Sequence, residues 1–548
     1  MQVCEAIARA VTRECVGAPV FSLIGDANLQ IVGALGRHTN ASQCFARDEG
    51  AAVAMADGYA QASAKLGIAT VTSGPGLTHA ATSLLGASRL HTPMVVIAGD
   101  TPLRRPAGIQ EMQSMDQRRF VEACEAHFQA LRSVASLGDD IASAFHRARF
   151  ERVPVVLSVP LDLQAMEVPA GWTYQPSGAE PMVLEPGPAA LRTILETLHS
   201  AKHCLILAGR GAIRANARDD IIQFADKIGA LLGTTLLAKG LFDASPWSIG
   251  VVGGFSSPAA MELLRETDAI LAFGAELGHF TTQAGSLLRG RRVIRVDVGP
   301  MTKTAPLQNM IEIRADARAT AAALCAAWDD AARTGFRSAS TRARLSAPAT
   351  DDAPVAGDLI DPRELMRALG SALPEEAQVI TGGGHFWSFP CLYLAQPKKG
   401  SFFCPLGAAA VGQALPFAIG VAMADPRRPT LAVEGDGSLL MNIQELDTAV
   451  RHRLPLVLVI MNDGALTAEV IKLKALGYDP NLAIYPSPGF AEIARGFGWA
   501  AVTLKGGDRI ADIVARHDWQ AGPLLIDARI SRDVVVDPVS LKDLGRRQ

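Results

Sequence analysis

Short, uninterrupted runs of apolar residues, separated by longer helix-like stretches, constrain the fold of this chain more than any other feature. Strands that are apolar at every position are buried on both faces, which is typical of parallel sheets covered by helices. The sequence therefore predicts an α/β protein with doubly wound, largely parallel sheets. The predicted strands lie within residues 67–74, 93–99, 154–160, 203–209, 269–275, 292–298, 378–383, 430–436, 454–463 and 523–530.

Two segments of different composition divide these strands into three groups. Residues 168–188 are rich in Pro and Gly, and residues 333–361 are rich in Ser, Ala, Asp and Pro, so both are predicted to be linkers. A chain of 548 residues is also too long for one hydrophobic core. We therefore predict three domains, and their expected limits are 1–167, 188–332 and 360–548.

Charge and cysteine usage exclude several classes of protein. The chain has 52 Lys and Arg against 55 Asp and Glu, a balance that gives no case for a nucleic-acid or membrane-surface partner. Its eight cysteines occur singly, which disfavours a zinc site or a disulfide framework and predicts reduced, buried thiols. No stretch of about 18 uncharged apolar residues is present, and residues 1–15 form an amphipathic pattern rather than a signal peptide. We expect a cytoplasmic protein.

The central group contains a weak dinucleotide-binding pattern. Gly209 and Gly211 follow a predicted strand, but the third position of the fingerprint is Arg214, where Gly or Ala is needed for close helix packing. A nicotinamide site is therefore not expected there.

The strongest chemical signal is the segment 435–438, Gly-Asp-Gly-Ser, at the end of a predicted strand. Glycines and a helix start offer free N–H groups to a phosphate, and Asp436 adds a carboxylate. A second strand ends 27 residues later at Asp463. If the two strands are neighbours, the two carboxylates would suit Mg2+, which prefers oxygen ligands and shares them with phosphates. Otherwise the two segments are unrelated turns.

This motif resembles that of the thiamine-diphosphate enzymes related to acetolactate synthase, benzoylformate decarboxylase and pyruvate oxidase. The resemblance covers nearly the whole chain and implies pyrimidine-binding, central and diphosphate-binding domains, in that order. It implies that Asp436, Asp463 and the carbonyl of Ala465 hold Mg2+. The family usually has Asn at the position of Asp463, and an Asp there still supplies an oxygen.

Further cofactor contacts follow from the resemblance. Residues 404–420 are similar to the segment that holds the aminopyrimidine, with the Ala409 carbonyl as its acceptor and Val411 as the residue that bends the cofactor. His385 lies where the family binds the diphosphate, although it could simply start a helix. The motif residues Gly435, Gly437 and Ser438 are expected to contact the diphosphate as well.

Glu49 is the expected catalytic acid. By itself, a lone acid before an apolar helix is often only a cap. The family pattern, however, is a Glu opening an AAxxADGYA helix, then a strand and a TSGPG loop, and residues 49–76 contain each part. The resemblance implies that this carboxyl bonds N1′ of the aminopyrimidine and so assists removal of the C2 proton. Glu49 and Asp436 meet across a subunit interface in the family, which implies a homodimer or homotetramer.

Several positions depart from the family pattern. Asp48 replaces a usual His, Thr72 stands where the related decarboxylases have a catalytic His, and His79 replaces a common Asn. His79 is a candidate proton shuttle, although it could equally be a solvent-facing helix-start residue. Gln113 resembles the glutamine that lines the site of acetolactate synthases.

The substrate loop departs as well. Asp26 and Asn28 lie in the segment expected to contact substrate, and Asp26 stands where benzoylformate decarboxylases have a Ser that holds the substrate carboxylate. A carboxylate there would repel an anionic substrate, which leaves room for a neutral diketone, an aldehyde or a cationic substrate. Lys472 could bind an acid.

These observations predict a thiamine-diphosphate- and Mg2+-dependent enzyme that forms or cleaves C–C bonds next to a carbonyl, as acetolactate synthases do. The alternatives are a benzoylformate-type decarboxylase without ligation, a lyase acting on a neutral diketone or acyloin, and an inactive cofactor-binding homologue. FAD is not expected, because the residues after Glu276 lack the RFDDR-like stretch of flavin-containing members.

Overall fold

Three six-stranded sheets, each formed from parallel strands, organise the protein. The computed structural model describes residues 1–38, 42–104, 111–176, 182–299, 310–328, 333–346, 355, 357–506 and 508–536. Helices cover the sheets, so the predicted α/β class is confirmed. Each of the ten predicted strand segments contains a strand.

The first sheet has the strand order β2-β1-β3-β4-β6-β5, given the following bounds. Its strands are β1 (Val20–Ser22), β2 (Gln43–Phe45), β3 (Gly67–Val71), β4 (Met94–Asp100), β5 (His127–Ala130) and β6 (Pro154–Pro160). Its helices are α1 (Val3–Glu14), α2 (Leu29–His38), α3 (Glu49–Ser63), α4 (Pro75–His79), α5 (Ala81–Arg89), α6 (Gln117–Ala123), α7 (Leu137–Arg147) and α8 (Leu161–Gln164), with a π-helical turn at Ala148–Arg152.

The central sheet has the order β9-β8-β7-β10-β11-β12, which is the doubly wound order of dinucleotide-binding folds. Its strands are β7 (Cys204–Ala208), β8 (Leu231–Thr234), β9 (Ser248–Val251), β10 (Ala269–Phe273), β11 (Arg292–Asp297) and β12 (Met310–Arg314). The helices in this part are α9 (Pro188–His199), α10 (Arg210–Arg214), α11 (Arg218–Ile228), α12 (Pro258–Glu266), α13 (His279–Thr282), α14 (Ala317–Ala327) and α15 (Ala339–Ser346), with short 3-10 turns at Leu236–Ala238 and Ser286–Leu288.

The third sheet repeats the order of the first, as β14-β13-β15-β16-β18-β17. Its strands are β13 (Gln378–Thr381), β14 (Ser401–Phe403), β15 (Thr430–Gly435), β16 (Leu456–Asn462), β17 (Ala500–Leu504) and β18 (Leu524–Arg529). Its helices are α16 (Pro362–Ala372), α17 (Ser388–Tyr393), α18 (Ala414–Ala424), α19 (Asp436–Leu439), α20 (Glu445–Arg451), α21 (Thr467–Ala475), α22 (Phe490–Gly496) and α23 (Ile510–Arg516), with 3-10 turns at His385–Trp387 and Pro480–Ala483.

The shared strand order fixes where ligands are expected. The order in which successive strands are added to the sheet reverses between β1 and β3 in the first sheet and between β13 and β15 in the third. Open α/β sheets bind ligands at such a reversal, beyond the carboxyl ends of the strands. The loops that follow these four strands are therefore the candidate site.

The predicted linkers differ from one another. Residues 168–176 contain no helix or strand, whereas 333–361 contains α15, so the second prediction was partly wrong. Arg344 on α15 forms ion pairs with Glu262 (3.4 Å) and Glu266 (2.8 Å) on α12. A Ser- and Ala-rich segment thus becomes helical because another element supplies its partners. The domain limits themselves remain predictions.

Helices α3 and α18 join the first and third sheets. A Cβ on Gly58 would overlap the carbonyl oxygen of Phe417, and one on Gly420 would overlap that of Met55. The two backbones therefore touch at positions where no other residue fits. Because the later residue of α3 meets the earlier residue of α18, the helices pass each other in opposite directions.

All eight cysteines are buried free thiols, as the sequence predicted. Across the described ranges, no helix combines the length and apolar character that crossing a bilayer requires.

Candidate active site

The loops after β1 and β3 pack tightly against each other through Thr72. A Cβ on Gly25 would lie 2.6 Å from the Thr72 Cβ, and one on Gly76 would lie 2.6 Å from the Thr72 Cγ2. The Thr72 hydroxyl also accepts a hydrogen bond from the Ala27 N–H at 3.2 Å. Thr72 is thus a structural contact between the two loops at the reversal point of the first sheet.

Glu49 begins α3 beside these loops, with its side chain only 13% exposed. Asp48 caps the helix by accepting a hydrogen bond from Ala51 N–H at 3.0 Å, which leaves the Glu49 carboxyl free to point towards the loops. Glu49 Oε1 lies 3.2 Å from the position of a Cβ on Gly76. Glu49 Oε2 lies 3.1 Å from His79 Nδ1.

The structure brings His79 to Glu49, as a proton-shuttle role requires. The His79 side chain is 61% exposed, and its Nδ1 also lies 3.7 Å from Asp48 Oδ2. One carboxylate oxygen from each of Asp48 and Glu49 and one ring nitrogen of His79 all lie within 4.8 Å of one another, which is also a spacing that could hold a metal ion. Since Asp48 already caps a helix, we interpret the group as an acid–base cluster around Glu49.

Gln113 contacts the same loop. Ser73 donates a hydrogen bond to Gln113 Oε1 at 2.7 Å, and a Cβ on Gly74, whose φ is +58°, would lie 2.6 Å from the Gln113 carbonyl oxygen. Gln113, which was predicted from the acetolactate synthase resemblance, therefore packs against Ser73 and Gly74 in the loop after β3.

Asp26 and Asn28 have different environments. Asp26 is exposed, whereas Asn28 is completely buried. Asn28 Nδ2 donates to the Leu23 carbonyl (3.0 Å) and the Thr70 hydroxyl (3.3 Å), and its Oδ1 accepts from Gly25 N–H (2.8 Å). Asn28 thus fixes the shape of the loop that presents Asp26, and its predicted contact with substrate is better assigned to Asp26.

The two predicted metal carboxylates lie on neighbouring strands. Gly435 at the end of β15 is paired with Met461 in β16, so Asp436 and Asp463 emerge from the same edge of the sheet. Asp436 is 7% exposed, and its Oδ2 accepts hydrogen bonds from Ser487 Oγ (2.6 Å) and Gly464 N–H (3.0 Å). The two strands are therefore neighbours, which was the condition for placing both carboxylates at one site.

Asp463 has the properties of a metal ligand. Burial, helped by the nearby charge of Asp436, raises its pKa to about 6 although Arg532 opposes the shift. Its Oδ2 accepts from the Thr467 hydroxyl at 2.5 Å and its Oδ1 from Ala465 N–H at 3.1 Å. Two carboxylates at neighbouring strand ends form a donor set that fits a divalent cation such as Mg2+.

A phosphate would fit the loop after β13. His385 is buried, its Nε2 has no hydrogen-bond partner among the described residues, and burial lowers its pKa. The neighbouring Phe386 ring packs against Gly435, where a Cβ would lie 2.7 Å from the ring. When the imidazole proton is on Nε2, this nitrogen can donate a hydrogen bond to a ligand oxygen at the glycine-rich strand end.

The predicted pyrimidine segment has a strained backbone. Ala409 is exposed with a φ of +52°, an uncommon conformation for alanine that often marks functional sites. Val411 is half-buried, and the next residue is held on both sides: Gly412 N–H donates to Ser438 Oγ (2.9 Å), and Gly412 O accepts from Asn442 Nδ2 (2.7 Å).

Contacts within one chain join the start of α3 to the start of α18. The Ser83 hydroxyl on α5 lies within hydrogen-bond distance of the Gly50 carbonyl (2.7 Å) and of Gln413 Oε1 (3.0 Å). The residue after Glu49 and the residue before α18 are therefore connected through one side chain.

Several contacts were not predicted from the sequence. Ser487 has no motif, and it reaches Asp436 only because residues 483–487 fold back onto the metal loop. Glu434 was not predicted as part of the site either, although its sequence position was unusual: it is the one charged residue in the apolar run of β15. Lys472, considered for binding an acid, instead pairs with Glu469 at 2.9 Å.

Comparison with known proteins agrees with this geometry. Three family models match the chain: "Thiamine pyrophosphate enzyme, N-terminal TPP binding domain" at 1–120, the central domain of the same family at 191–324, and its C-terminal TPP binding domain at 382–528. Thiamine pyrophosphate is another name for thiamine diphosphate. The chain therefore belongs to the family of thiamine-diphosphate-dependent enzymes of the acetolactate synthase type.

Its relatives have several activities. A sulfoacetaldehyde acetyltransferase of Castellaniella defragrans is 28% identical over 91% of this chain and 86% of its own length. An acetolactate synthase large subunit of Parasynechococcus marenigrum is 28% identical over 94% and 85%. A probable 2-ketoarginine decarboxylase of Pseudomonas aeruginosa is 29% identical over 88% and 86%.

One solved structure has the same fold. It is a putative thiamin diphosphate-dependent enzyme from Mycobacterium smegmatis, which matches 97% of this chain and 99% of its own with a TM-score of 0.75 and 19% identity.

Proposed function

We propose that this protein is a thiamine-diphosphate- and Mg2+-dependent enzyme that forms or cleaves a C–C bond next to a carbonyl, in the manner of acetolactate synthases. The observation that carries the proposal is the pair Asp436 and Asp463 on neighbouring strand ends. We also propose a cytoplasmic protein, because its eight cysteines are free thiols. Its balanced charge supports small carbonyl compounds, rather than nucleic acids or membrane surfaces, as its partners.

In this proposal the third domain binds the cofactor. Asp436, Asp463 and the Ala465 carbonyl would hold Mg2+, whose positive charge would help to bind the diphosphate. The diphosphate would contact His385, Gly435, Gly437 and Ser438, while the Ala409 carbonyl and Val411 would hold the pyrimidine. When bound, thiamine diphosphate supplies the nucleophilic carbon and the electron sink that this chemistry requires.

The first domain would supply the proton chemistry. Glu49 would hold a proton at the pyrimidine N1′, since its carboxyl is largely buried yet faces the mouth of the loops. His79, 3.1 Å away, would exchange that proton with substrate or solvent because its ring is exposed. Gln113 would orient the substrate carbonyl by hydrogen bonding.

We further propose a homodimer, or a tetramer of such dimers, in which each site combines two chains. The family resemblance supports this arrangement, because the family residues that match Glu49 and Asp436 meet across a subunit interface. A second copy supplies Glu49 to the site, and the first copy supplies its own Glu49 in return.

Co-expression of two inactive variants tests the shared site. A Glu49→Gln chain paired with an Asp436→Ala chain leaves one site with both residues intact and one with neither. We expect the doubly tagged heterodimer to regain about half of the parental kcat per dimer, measured after purification on both tags. Each variant purified alone is the control, and a heterodimer as inactive as those controls would contradict the shared site.

Two chemical types of substrate are compatible with the position of Asp26. An exposed Asp26 at the mouth disfavours a simple anionic 2-oxo acid and favours a neutral diketone or acyloin, or a substrate with a cationic group. The substrate named for one relative, 2-ketoarginine, carries a guanidinium group as well as a carboxylate. A non-ligating decarboxylase of cationic 2-oxo acids is therefore the second candidate.

Substitution of Asp26 separates these candidates. We expect Asp26→Ser to raise kcat/KM for pyruvate or benzoylformate several-fold and to leave neutral diketones or aldehydes little changed, because repulsion by a nearby like charge at an exposed position is worth about 1 kcal/mol. Asp162, a carboxylate that instead accepts from Leu103 N–H at 3.0 Å, gives a control variant as Asp162→Asn. Lower activity on acids in Asp26→Ser would instead indicate that Asp26 binds a cationic group.

Two measurements test the function as a whole. Mass spectrometry of small molecules released from the denatured protein should find thiamine diphosphate. A panel of 2-oxo acids, diketones and aldehydes, each supplied alone and in pairs, then distinguishes decarboxylation, cleavage and ligation by their products. A protein that binds no thiamine diphosphate in the presence of Mg2+ would contradict the proposal.

A further inference from the structure

A buried carboxyl that the proposed chemistry does not use lies at the centre of the third-domain site. Glu434 is completely buried near the end of β15, two residues before Asp436. Burying a carboxyl is costly unless donors surround it, so such a position requires specific partners. Glu434 has four of them.

The partners of Glu434 come from the separate loops that form the site. Its Oε2 accepts from the N–H groups of Ala414 (3.1 Å) and Leu415 (3.3 Å), which start α18 within the pyrimidine segment, residues 404–420. Its Oε1 accepts a very short hydrogen bond from Ser438 in the diphosphate loop, and Gly435 N–H also bonds its carboxyl group. A carboxylate is suited to four donors, and these span two loops.

The loop after β13 is fitted to the same carboxyl. A Cβ on Gly382 would overlap Glu434 Oε1, so glycine is required where this loop passes the carboxyl. Gly382 lies three residues before His385, which is the proposed diphosphate contact. Glu434 thus adjoins all three loops that would surround the cofactor.

A second chain of hydrogen bonds links the same loops. Ser438, besides donating to Glu434, accepts from Gly412 N–H at 2.9 Å, and Gly412 is the neighbour of Val411. Asn442 holds the Gly412 carbonyl at 2.7 Å. The pyrimidine segment and the diphosphate loop are therefore tied together on both sides of Gly412.

We propose that Glu434 is a positioning residue that fixes the spacing between the diphosphate loop and the pyrimidine segment, and so selects a ligand that carries both groups. The inference rests on the proposed function, because it assigns the two loops to the two ends of thiamine diphosphate. Because protein donors occupy both oxygens of its carboxyl, Glu434 would act through the loops rather than on the ligand itself. Its effect is to hold both loops in place before the ligand binds, which lowers the cost of ordering them.

Two probe ligands test this role: thiamine diphosphate, which needs both loops, and inorganic pyrophosphate, which needs only the diphosphate loop. Dissociation constants are measured by calorimetry at one saturating Mg2+ concentration. Glu434→Met keeps the length of the side chain and removes its acceptors. We expect it to weaken thiamine diphosphate binding at least tenfold and pyrophosphate binding less than threefold.

The conservative variant should restore the spacing. In Glu434→Gln, the amide oxygen still accepts from Ala414 and Leu415, and the amide nitrogen can donate to Ser438, so both constants should change less than threefold. If Glu434→Met does not fold, Asn442→Ala breaks the second link, and we expect it to weaken thiamine diphosphate three- to tenfold with pyrophosphate unchanged.

A buried acid far from the site provides the matched control. Asp140 in the first domain is 1% exposed and accepts from Arg132 N–H (3.0 Å) and Ser136 Oγ (2.8 Å), so Asp140→Asn should lower Tm without changing the ratio of the two constants. Equal losses for both ligands, or no loss for either, in Glu434→Met and Asn442→Ala would overturn the positioning role, as would a changed ratio in Asp140→Asn. A parental protein that binds neither ligand would instead overturn the proposed function.

Discussion

Replacement of Glu49 by Gln is expected to lower kcat at least a hundredfold while thiamine diphosphate still binds. The amide retains the shape of the side chain but cannot hold the proton at N1′, and loss of such a proton relay costs on the order of 3–5 kcal/mol of barrier. Much of the cofactor affinity should come from the third domain through Asp436, Asp463 and the diphosphate loop. We therefore expect kcat to fall while the Kd for thiamine diphosphate changes little, with both quantities measured on the same preparation.

The neighbouring carboxylate provides the control for this substitution. Asp48→Asn also removes one negative charge next to His79, but Asn is as good a helix cap as Asp, so α3 should keep its start. We expect turnover in Asp48→Asn to stay within tenfold of the parent. Turnover within tenfold in Glu49→Gln would show that Glu49 is not the proton-holding group, whatever its contact with His79.

The fold was predictable from the sequence where strands are buried on both faces. Most of the ten predicted segments are strands with apolar runs of five to seven buried residues, such as β16, in which all seven residues are buried, although β13 has only four. The six strands at the sheet edges were all missed, namely β2, β5, β9, β12, β14 and β17. An edge strand is covered on fewer sides, and β5, for example, has four half-buried residues and therefore no continuous apolar signal.

The two remaining missed strands have a different cause. Strand β1 contains only three residues, Val20–Ser22, and β8 only four, Leu231–Thr234. Both lie inside their sheets, where two neighbouring strands supply the hydrogen bonds that a short segment needs. Such strands depend on long-range pairing, which local sequence does not contain.

The candidate site was likewise predictable where it depends on local sequence motifs, and not where it depends on contacts between segments that are distant in the sequence. The sequence contained the spacing from Asp436 to Asp463, since both residues end strands that are individually recognisable. It did not contain the approach of Ser487 to Asp436, which depends on how residues 483–487 fold back. Asn28 was predicted to contact substrate because it lies in the substrate loop. Its burial depends on the pairing of β1 with β3, which brings Thr70 within reach of its side chain, and local sequence does not contain that pairing.

The largest effect on cofactor binding is expected from Asp436→Ala. This substitution removes one of two carboxylates at the proposed Mg2+ site and leaves Ser487 Oγ and Gly464 N–H without their acceptor. A buried donor without a partner costs about 1–3 kcal/mol, in addition to the lost metal ligand. We therefore expect Mg2+-dependent binding of thiamine diphosphate to weaken at least a hundredfold, as measured by calorimetry with and without Mg2+.

Asp463→Asn is the matched comparison, and we expect it to weaken binding less than tenfold. An Asn carbonyl can ligate Mg2+ in place of the carboxylate, and the Thr467 hydroxyl, which now donates to Asp463, can turn and accept a hydrogen bond from the amide. The substitution also removes a like charge beside Asp436, which partly offsets the weaker ligand. Equal losses in Asp436→Ala and Asp463→Asn would show that the second negative charge is itself required, and would contradict the interpretation of Asp463 as an oxygen donor equivalent to Asn.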